Sequence, residues 1–193
     1  MSEPRDKWNR RWRERSGEEL VADAWLLEVC DLLSVGRALD LACGRGRNTL
    51  ELARRGFVLT AVDLAEEALA QLAATAAAEG LSIDCQCCDL ESRPPVLTQG
   101  YDLVLCFFYL HRPLFPWLLA AIKPGGLAVL RTFSSAGDFP PGQLDAQFIL
   151  QPGELLRIFS GWEILRHEEG LEPSRKGGSL AGIVARKPFP SEP

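Results

Sequence analysis

The chain has 193 residues, 47% apolar and 24% charged, with a formal net charge of −5. Those values suit one soluble globular domain with a sizeable core, spanning 1–193, and the acidic balance speaks against a nucleic-acid partner. No apolar run approaches the roughly 20 residues of a membrane span, and Met1 to Arg15 is too polar for a signal peptide.

The six cysteines are Cys30, Cys43, Cys85, Cys87, Cys88 and Cys106. Most lie in apolar segments, as reduced core cysteines do, so a cytoplasmic setting is expected. Cys85, Cys87 and Cys88 are too closely spaced for the usual zinc pairs, and a strand fits them better, so no metal is expected.

Residues 1–35 read as an N-terminal helical cap. Trp8 and Trp12 are four apart, which puts them on one helix face, either docked on the core or folded over a ligand pocket as a lid. Leu20, Ala24, Leu27 and Leu32 form an apolar stripe that predicts a helix over 18–33, ended near Gly36.

The run Ala38-Leu39-Asp40-Leu41-Ala42 reads as a strand buried on both faces. Cys43-Gly44-Arg45-Gly46 follows, and its two glycines permit a tight turn and close ligand approach. A helix from Asn48 to Arg55 comes next, stopped by Gly56. Strand, Gly-x-Gly turn and helix form the nucleotide-binding corner of a doubly wound α/β fold. Asp40 gives this corner an unusual charge. A carboxylate there repels phosphates and attracts an ammonium group, so the ligand is expected to be nucleoside-like, phosphate-free and cationic. S-adenosylmethionine fits.

The second strand, 57–63, ends at Asp63, an acid placed to accept hydrogen bonds from ribose hydroxyls or to cap the helix that follows over 66–79. Strand three and its exit cover 81–90, a loop 93–100, and strand four Tyr101 to Phe108. The end of strand four lies at the topological switch point, so Tyr109-Leu110-His111-Arg112-Pro113 is expected to hang over the pocket. A helix over 114–122 and the turn Lys123-Pro124-Gly125-Gly126 lead into strand five, 127–133. After a loop over 134–142 come a short helix opened by Pro152, strand six over 162–167, a loop over 170–178 and a last strand over 179–187.

The motif Asp40-x-Ala42-x-Gly44-x-Gly46, with Asp63 and Asp89, resembles that of class I S-adenosylmethionine-dependent methyltransferases, although the family usually has a third glycine where Ala42 stands. The tryptophan-bearing start, the Lys-Pro-Gly-Gly turn and the Ser179-to-Lys187 ending are similar to the tellurite-resistance and thiopurine groups of small-molecule methyltransferases. The resemblance implies a doubly wound, seven-stranded, mostly parallel Rossmann-like sheet whose last strand is antiparallel. It implies that Trp12, Asp40, Ala42, Cys43, Gly44, Gly46 and Asn48 surround the methionine end of S-adenosylmethionine. Asp63 and Leu64 then face the ribose, Asp89 and Leu90 the adenine, and Cys106 and Phe107 the sulfur.

His111 is the expected general base for an acceptor that must lose a proton, with His167 second. Arg112, Arg131, Arg175 and Lys176 are expected to attract an anionic substrate, with Arg112 and Arg175 closest to the chemistry. The implied partner is a small-molecule methyl acceptor such as a thiol or metalloid oxyanion, with no membrane, and the chain is expected to be a monomer or homodimer. Two other readings stand beside this one: a sensor module that binds S-adenosylmethionine without turnover, and an NAD(P) oxidoreductase, disfavoured by Asp40 and by Thr49 in the third-glycine place.

Overall fold

The computed structural model describes residues 3–96, 100–138, 144–173 and 178–190, with 171–173 as backbone only. Among these, seven strands form one sheet: β1 (Arg37–Leu41), β2 (Val58–Asp63), β3 (Ile83–Cys87), β4 (Tyr101–Phe107), β5 (Ile122–Phe133), β6 (Glu163–Pro173) and β7 (Ser179–Arg186). Their order is β3-β2-β1-β4-β5-β7-β6. The first five pair in parallel, and β7 runs antiparallel between β5 and β6. Strand order reverses between β1 and β4, so the crevice beyond their C-terminal ends is where a ligand is expected in such a sheet.

Six α-helices are described: α1 (Glu3–Glu14), α2 (Ala24–Val29), α3 (Arg47–Arg54), α4 (Glu66–Ala78), α5 (Phe115–Ala121) and α6 (Glu154–Ile158). The alternation of β1 sorts them onto two faces. Leu39 and Leu41 join a core with Leu118 of α5 and Leu155 of α6, whereas Ala38 joins one with Trp25 of α2 and Leu52 of α3. Asp40 has the same parity as Ala38, so it points at α3, where Thr49 meets it.

Three stretches differ from expectation. The helix expected over 18–33 is reduced to α2 and a 3₁₀ turn at Cys30–Leu32, because the residues ahead of it are held by side chains of the glycine turn. Strand five begins at Ile122 rather than Leu127, since Gly125 and Gly126 pair through their backbone with Lys187. Strand six runs on to Pro173, through part of the stretch expected to be a loop.

The cap segment does two things. α1 lies on α4: Arg5 and Arg13 pair with Glu66 and Glu67, and Gln71 Nε2 donates to the Trp12 carbonyl at 3.2 Å. Asn9 Oδ1 accepts the Glu67 N–H at 3.0 Å, a cap that α4 lacks from its own Ala65. No helix among the described residues is long and apolar enough to cross a membrane.

Candidate functional site

The turn after β1 is left-handed at three positions: Ala42 (φ +54°), Gly44 (+56°) and Gly46 (+76°). A Cβ on Gly44 would stand 2.9 Å from Cζ2 of Trp12, and one on Gly46 would run into the Leu72 side chain. These glycines are therefore required by both backbone and packing. Ala42 shows why the related motif uses glycine there: the methyl group fits, but at a backbone angle that L-residues avoid.

Asp63, at the end of β2, ties this turn to the next helix. Its Oδ2 accepts the Gly44 N–H at 2.7 Å, and its Oδ1 accepts the Ala65 N–H at 2.8 Å. The residue is buried, and among the described residues it has no cationic partner. Burial raises its pKa, against the pull of the backbone amides. Asp40 is buried deeper, and its Oδ2 accepts the Thr49 hydroxyl at 2.6 Å. Burial raises its pKa to about 7, opposed by the Thr49 bond and helped by the Asp63 charge. Burial and both carboxylates also push up the neighbouring Cys43 thiol.

Beyond β3 and β4 the remaining expected groups gather. Asp89 is half-buried and accepts the Glu91 N–H at 3.0 Å through Oδ1, Leu90 is buried in the core, and the Leu64 carbonyl accepts from Cys87 Sγ. Cys106 is buried, and desolvation drives its thiol pKa upward. Tyr109 was expected only as part of the loop over the pocket. Its hydroxyl is buried with no hydrogen-bond partner, and burial followed by the charges of Glu91, Asp89 and Asp63 keeps it protonated. A buried phenol without a partner among the described residues, near acids from the ends of β2 and β3, fits a polar ligand that completes the site.

Other assignments change. Phe107 was expected at the sulfur; its ring instead packs 6.3 Å from Trp25, inside the core on the α2 side. Phe108 is the exposed ring of the pair, and its φ is +57°. Asn48 was expected at the cofactor, but its Oδ1 accepts the Asp23 N–H at 2.9 Å and so anchors the segment before α2. Arg112 was expected to attract substrate; it grips Glu154 through Nε and Nη2 at 2.7 and 2.9 Å and donates to the carbonyls of Gln147 and Ile149, which fixes the α6 segment. Arg131 was expected to do the same, but it is buried in an ion pair with Asp23 at 2.5 Å. Arg175 and Lys176 lie outside the described residues.

His111 is half-buried at the mouth of the switch-point loop, with no hydrogen bond or ion pair to its ring among the described residues. His167 sits in β6, opposite Ile183, with Nε2 buried and unpartnered.

Sequence reasoning passed over Arg45. It stands between the two glycines, yet it is only 8% exposed. Its guanidinium donates to the carbonyls of Arg15 (2.6 Å), Ser16 (2.8 Å) and Glu18 (3.0 Å), beyond the C-terminus of α1. With Trp12 against Gly44, this latches the cap segment to the ligand turn. Its only signal was a long cation in a place where small residues were expected.

Residues 18–178 match the family described as tellurite resistance protein TehB. The chain belongs to the TehB family. A TehB-family relative from Haemophilus influenzae (strain Rd), named a probable S-adenosyl-L-methionine-dependent methyltransferase, is 28% identical over 153 residues, which is 76% of this chain and 52% of that protein. The chain spans about half the length of several curated relatives it matches. The crystal structure of TehB from Haemophilus influenzae superposes with a TM-score of 0.75 at 21% identity, covering 93% of this chain and 67% of that one. Magnesium protoporphyrin IX methyltransferase from Synechocystis PCC 6803, solved with bound S-adenosylmethionine, gives 0.64 at 19% identity and covers 95% of each chain. The fold of this TehB-family chain is thus that of the class I S-adenosylmethionine-dependent methyltransferases.

Proposed function

We propose that this TehB-family protein transfers the methyl group of S-adenosylmethionine to a small-molecule acceptor, a thiol or a metalloid oxyanion. The observation that carries the reading is Asp63: a buried carboxylate at the end of β2 that, among the described residues, is bound by backbone N–H groups and faces no cation. Each of its oxygens keeps a lone pair for a ribose hydroxyl. The motif around it and the name of the Haemophilus influenzae relative, a probable S-adenosyl-L-methionine-dependent methyltransferase, support the same cofactor.

The residues divide the work. Asp63 holds the ribose and, through Gly44, the shape of the turn. Asp89 receives the adenine amino group, beside buried Leu90. Asp40 acts on the ligand's ammonium mainly through its field, since one of its oxygens is committed to Thr49. The Tyr109 hydroxyl gains a partner when the site fills. Trp12, held over Gly44, keeps water from the turn. S-adenosylmethionine, when bound, supplies a methyl group already activated on a sulfonium. The protein's part is therefore alignment and exclusion of water, which can lower a barrier by roughly 7–11 kcal/mol. A thiolate or oxyanion acceptor needs no base; an acceptor that arrives protonated meets His111.

Calorimetric titration with S-adenosylmethionine and with NADH tests the cofactor, and product detection over thiols, tellurite, selenite and small phenols tests the acceptor. Binding of the sulfonium compound alone, with methylated thiol or metalloid as product, is expected. Tight NADH binding in its place would overturn the cofactor, and binding without any product across the panel would favour a sensor.

A further inference from the structure

The left-handed turn at Phe108 (φ +57°) divides the two faces of the sheet at the end of β4. Phe107, before the turn, packs with Trp25 on the α2 side. Tyr109, after it, packs on the opposite cluster, which includes Val62 of β2, Leu90 beyond β3 and Leu110. The buried Cys106 thiol donates to the Tyr109 carbonyl at 3.7 Å and so pins the backbone that carries the ring. The charges acting on the Tyr109 hydroxyl are those of Glu91 and Asp89, beyond β3, and of Asp63, at the end of β2. In the sheet, β1 and β2 lie between β4 and β3. The hydroxyl therefore stands over the C-terminal edge of the sheet, inside the switch-point crevice, in the field of acids from its far side.

That hydroxyl is buried and makes no hydrogen bond among the described residues. Burial and the surrounding acids keep its proton on, so it is first of all a donor. The acids leave it unpaired: Asp63 accepts the Gly44 and Ala65 N–H groups, and Asp89 accepts the Glu91 N–H. An unmade hydrogen bond in a buried place costs stability, and phenylalanine would fill the same apolar space without that cost. Packing therefore accounts for the ring and not for its hydroxyl. Position selects the partner. A nucleoside whose ribose bonds to Asp63 lies between the glycine turn at β1 and a base that extends past β2 toward β3. Glu91 and Asp89 act on the hydroxyl more strongly than Asp63 does, so the hydroxyl lies on the base side of the ribose. Its acidic surroundings repel a carboxylate or a phosphate as partner and suit a neutral acceptor such as a purine ring nitrogen.

We propose that the Tyr109 hydroxyl donates a hydrogen bond to a ring nitrogen of the cofactor's adenine, and so makes the site selective for a base with an acceptor at that position. The inference rests on the methyl-transfer reading and deepens it. Asp89 takes the exocyclic amino group and Tyr109 a ring nitrogen, so the base is read by an acceptor and a donor together. Tyr109 also couples the two halves of the crevice, because its backbone belongs to the end of β4 and its hydroxyl meets the ligand near the ends of β2 and β3.

The test titrates the full chain calorimetrically with S-adenosylhomocysteine and with its 1-deaza, 3-deaza and 7-deaza analogues, each of which replaces one ring nitrogen by C–H. In the wild type, the analogue that lacks the contacted nitrogen should bind at least about tenfold more weakly, because it leaves the hydroxyl unpaired in a filled site. In Tyr109→Phe, S-adenosylhomocysteine itself should lose about tenfold in affinity. The penalty for that one analogue should shrink to within about twofold, while the penalties for the other two stay as in the wild type. The ligand-free variant should melt roughly 2–4 °C higher, because an unpaired buried hydroxyl is gone. A packing role does not lower ligand affinity while raising stability. Deaza penalties that the substitution leaves unchanged at every position overturn the proposal, since the hydroxyl then serves the ribose or the fold. An unaltered S-adenosylhomocysteine affinity overturns it too, because the hydroxyl then meets only water, and so does a lower melting temperature, which would reveal a partner within the fold. If the wild type does not bind S-adenosylhomocysteine at all, the methyl-transfer reading itself falls, and the assignment of Tyr109 with it.

Discussion

Asp63 and Asp23 are carboxylates of nearly equal burial, 8% and 6% exposed, on two sides of one glycine turn. Asp23 is surrounded by the guanidinium groups of Arg131 and Arg47 and by the Trp25 N–H. Asp63 has two backbone N–H donors and no cation among the described residues. The first charge is neutralised inside the fold, and it ties α2, α3 and β5 together. The second is left uncompensated, at the cost of a raised pKa, as expected for a group that waits for a ligand. Burial alone therefore does not mark a functional carboxylate; its partner does.

The largest expected effect tests the structural member of this pair. Asp23→Ala leaves two guanidinium groups facing each other without their shared anion, and should cost about 3–5 kcal/mol in urea unfolding. A loss below about 1 kcal/mol, the scale of a surface pair, would erase the contrast. Asp63→Ala should do the reverse. We expect S-adenosylmethionine affinity to fall about 100-fold, from two lost hydrogen bonds to a charged acceptor, with a smaller loss of stability than Asp23→Ala. Calorimetry and unfolding on the same variant separate the two effects.

Asp40 gives a pH dependence. Its pKa in the folded chain, about 7, lies above the ordinary carboxylate value. Its contribution to the stability of the unliganded protein is thus present below about pH 4 and lost as pH rises through about 7. A cationic ligand needs the ionised form, so S-adenosylmethionine affinity should climb by up to about tenfold per unit below pH 7 and level off above it. Asp40→Asn should flatten that profile and stabilise the ligand-free protein most above pH 7. A profile unchanged by the substitution would remove Asp40 from ligand binding.

The smallest effect concerns the turn itself. Ala42 has φ +54°, so Ala42→Gly should relieve up to about 1 kcal/mol of strain and raise the melting temperature by roughly 2–4 °C. A drop instead would mean that the Ala42 methyl packs well enough to outweigh its backbone angle.

Local pattern made much of the fold legible. The apolar runs around Leu39, Val62 and Val104 have the composition of strands covered on both faces, and Gly44 and Gly46 end the first of them as positive φ requires. The order of strands and the antiparallel β7 follow from a right-handed crossover fold and a short return from β6. The positions of Asp40, Asp63 and Asp89 at the C-terminal edge of the sheet were legible because each lies at or beside the end of an apolar run. The cations were not. Arg112, Arg131 and Arg45 look alike in a sequence as exposed charges, yet they bind Glu154, Asp23 and the carbonyls beyond α1. Phe107 and Phe108 are adjacent, and only the left-handed turn at Phe108 decides which ring meets solvent.

The sequence by itself determined the βαβ corner, the acid at the end of β2 and the family to which the chain belongs, because these depend on short-range periodicity and on residues a few positions apart. Tertiary structure alone decided which charges are free. Ion pairs such as Asp23–Arg131 join positions more than a hundred residues apart, and a charge is neutralised by whatever the fold brings within about 4 Å, at any separation along the chain.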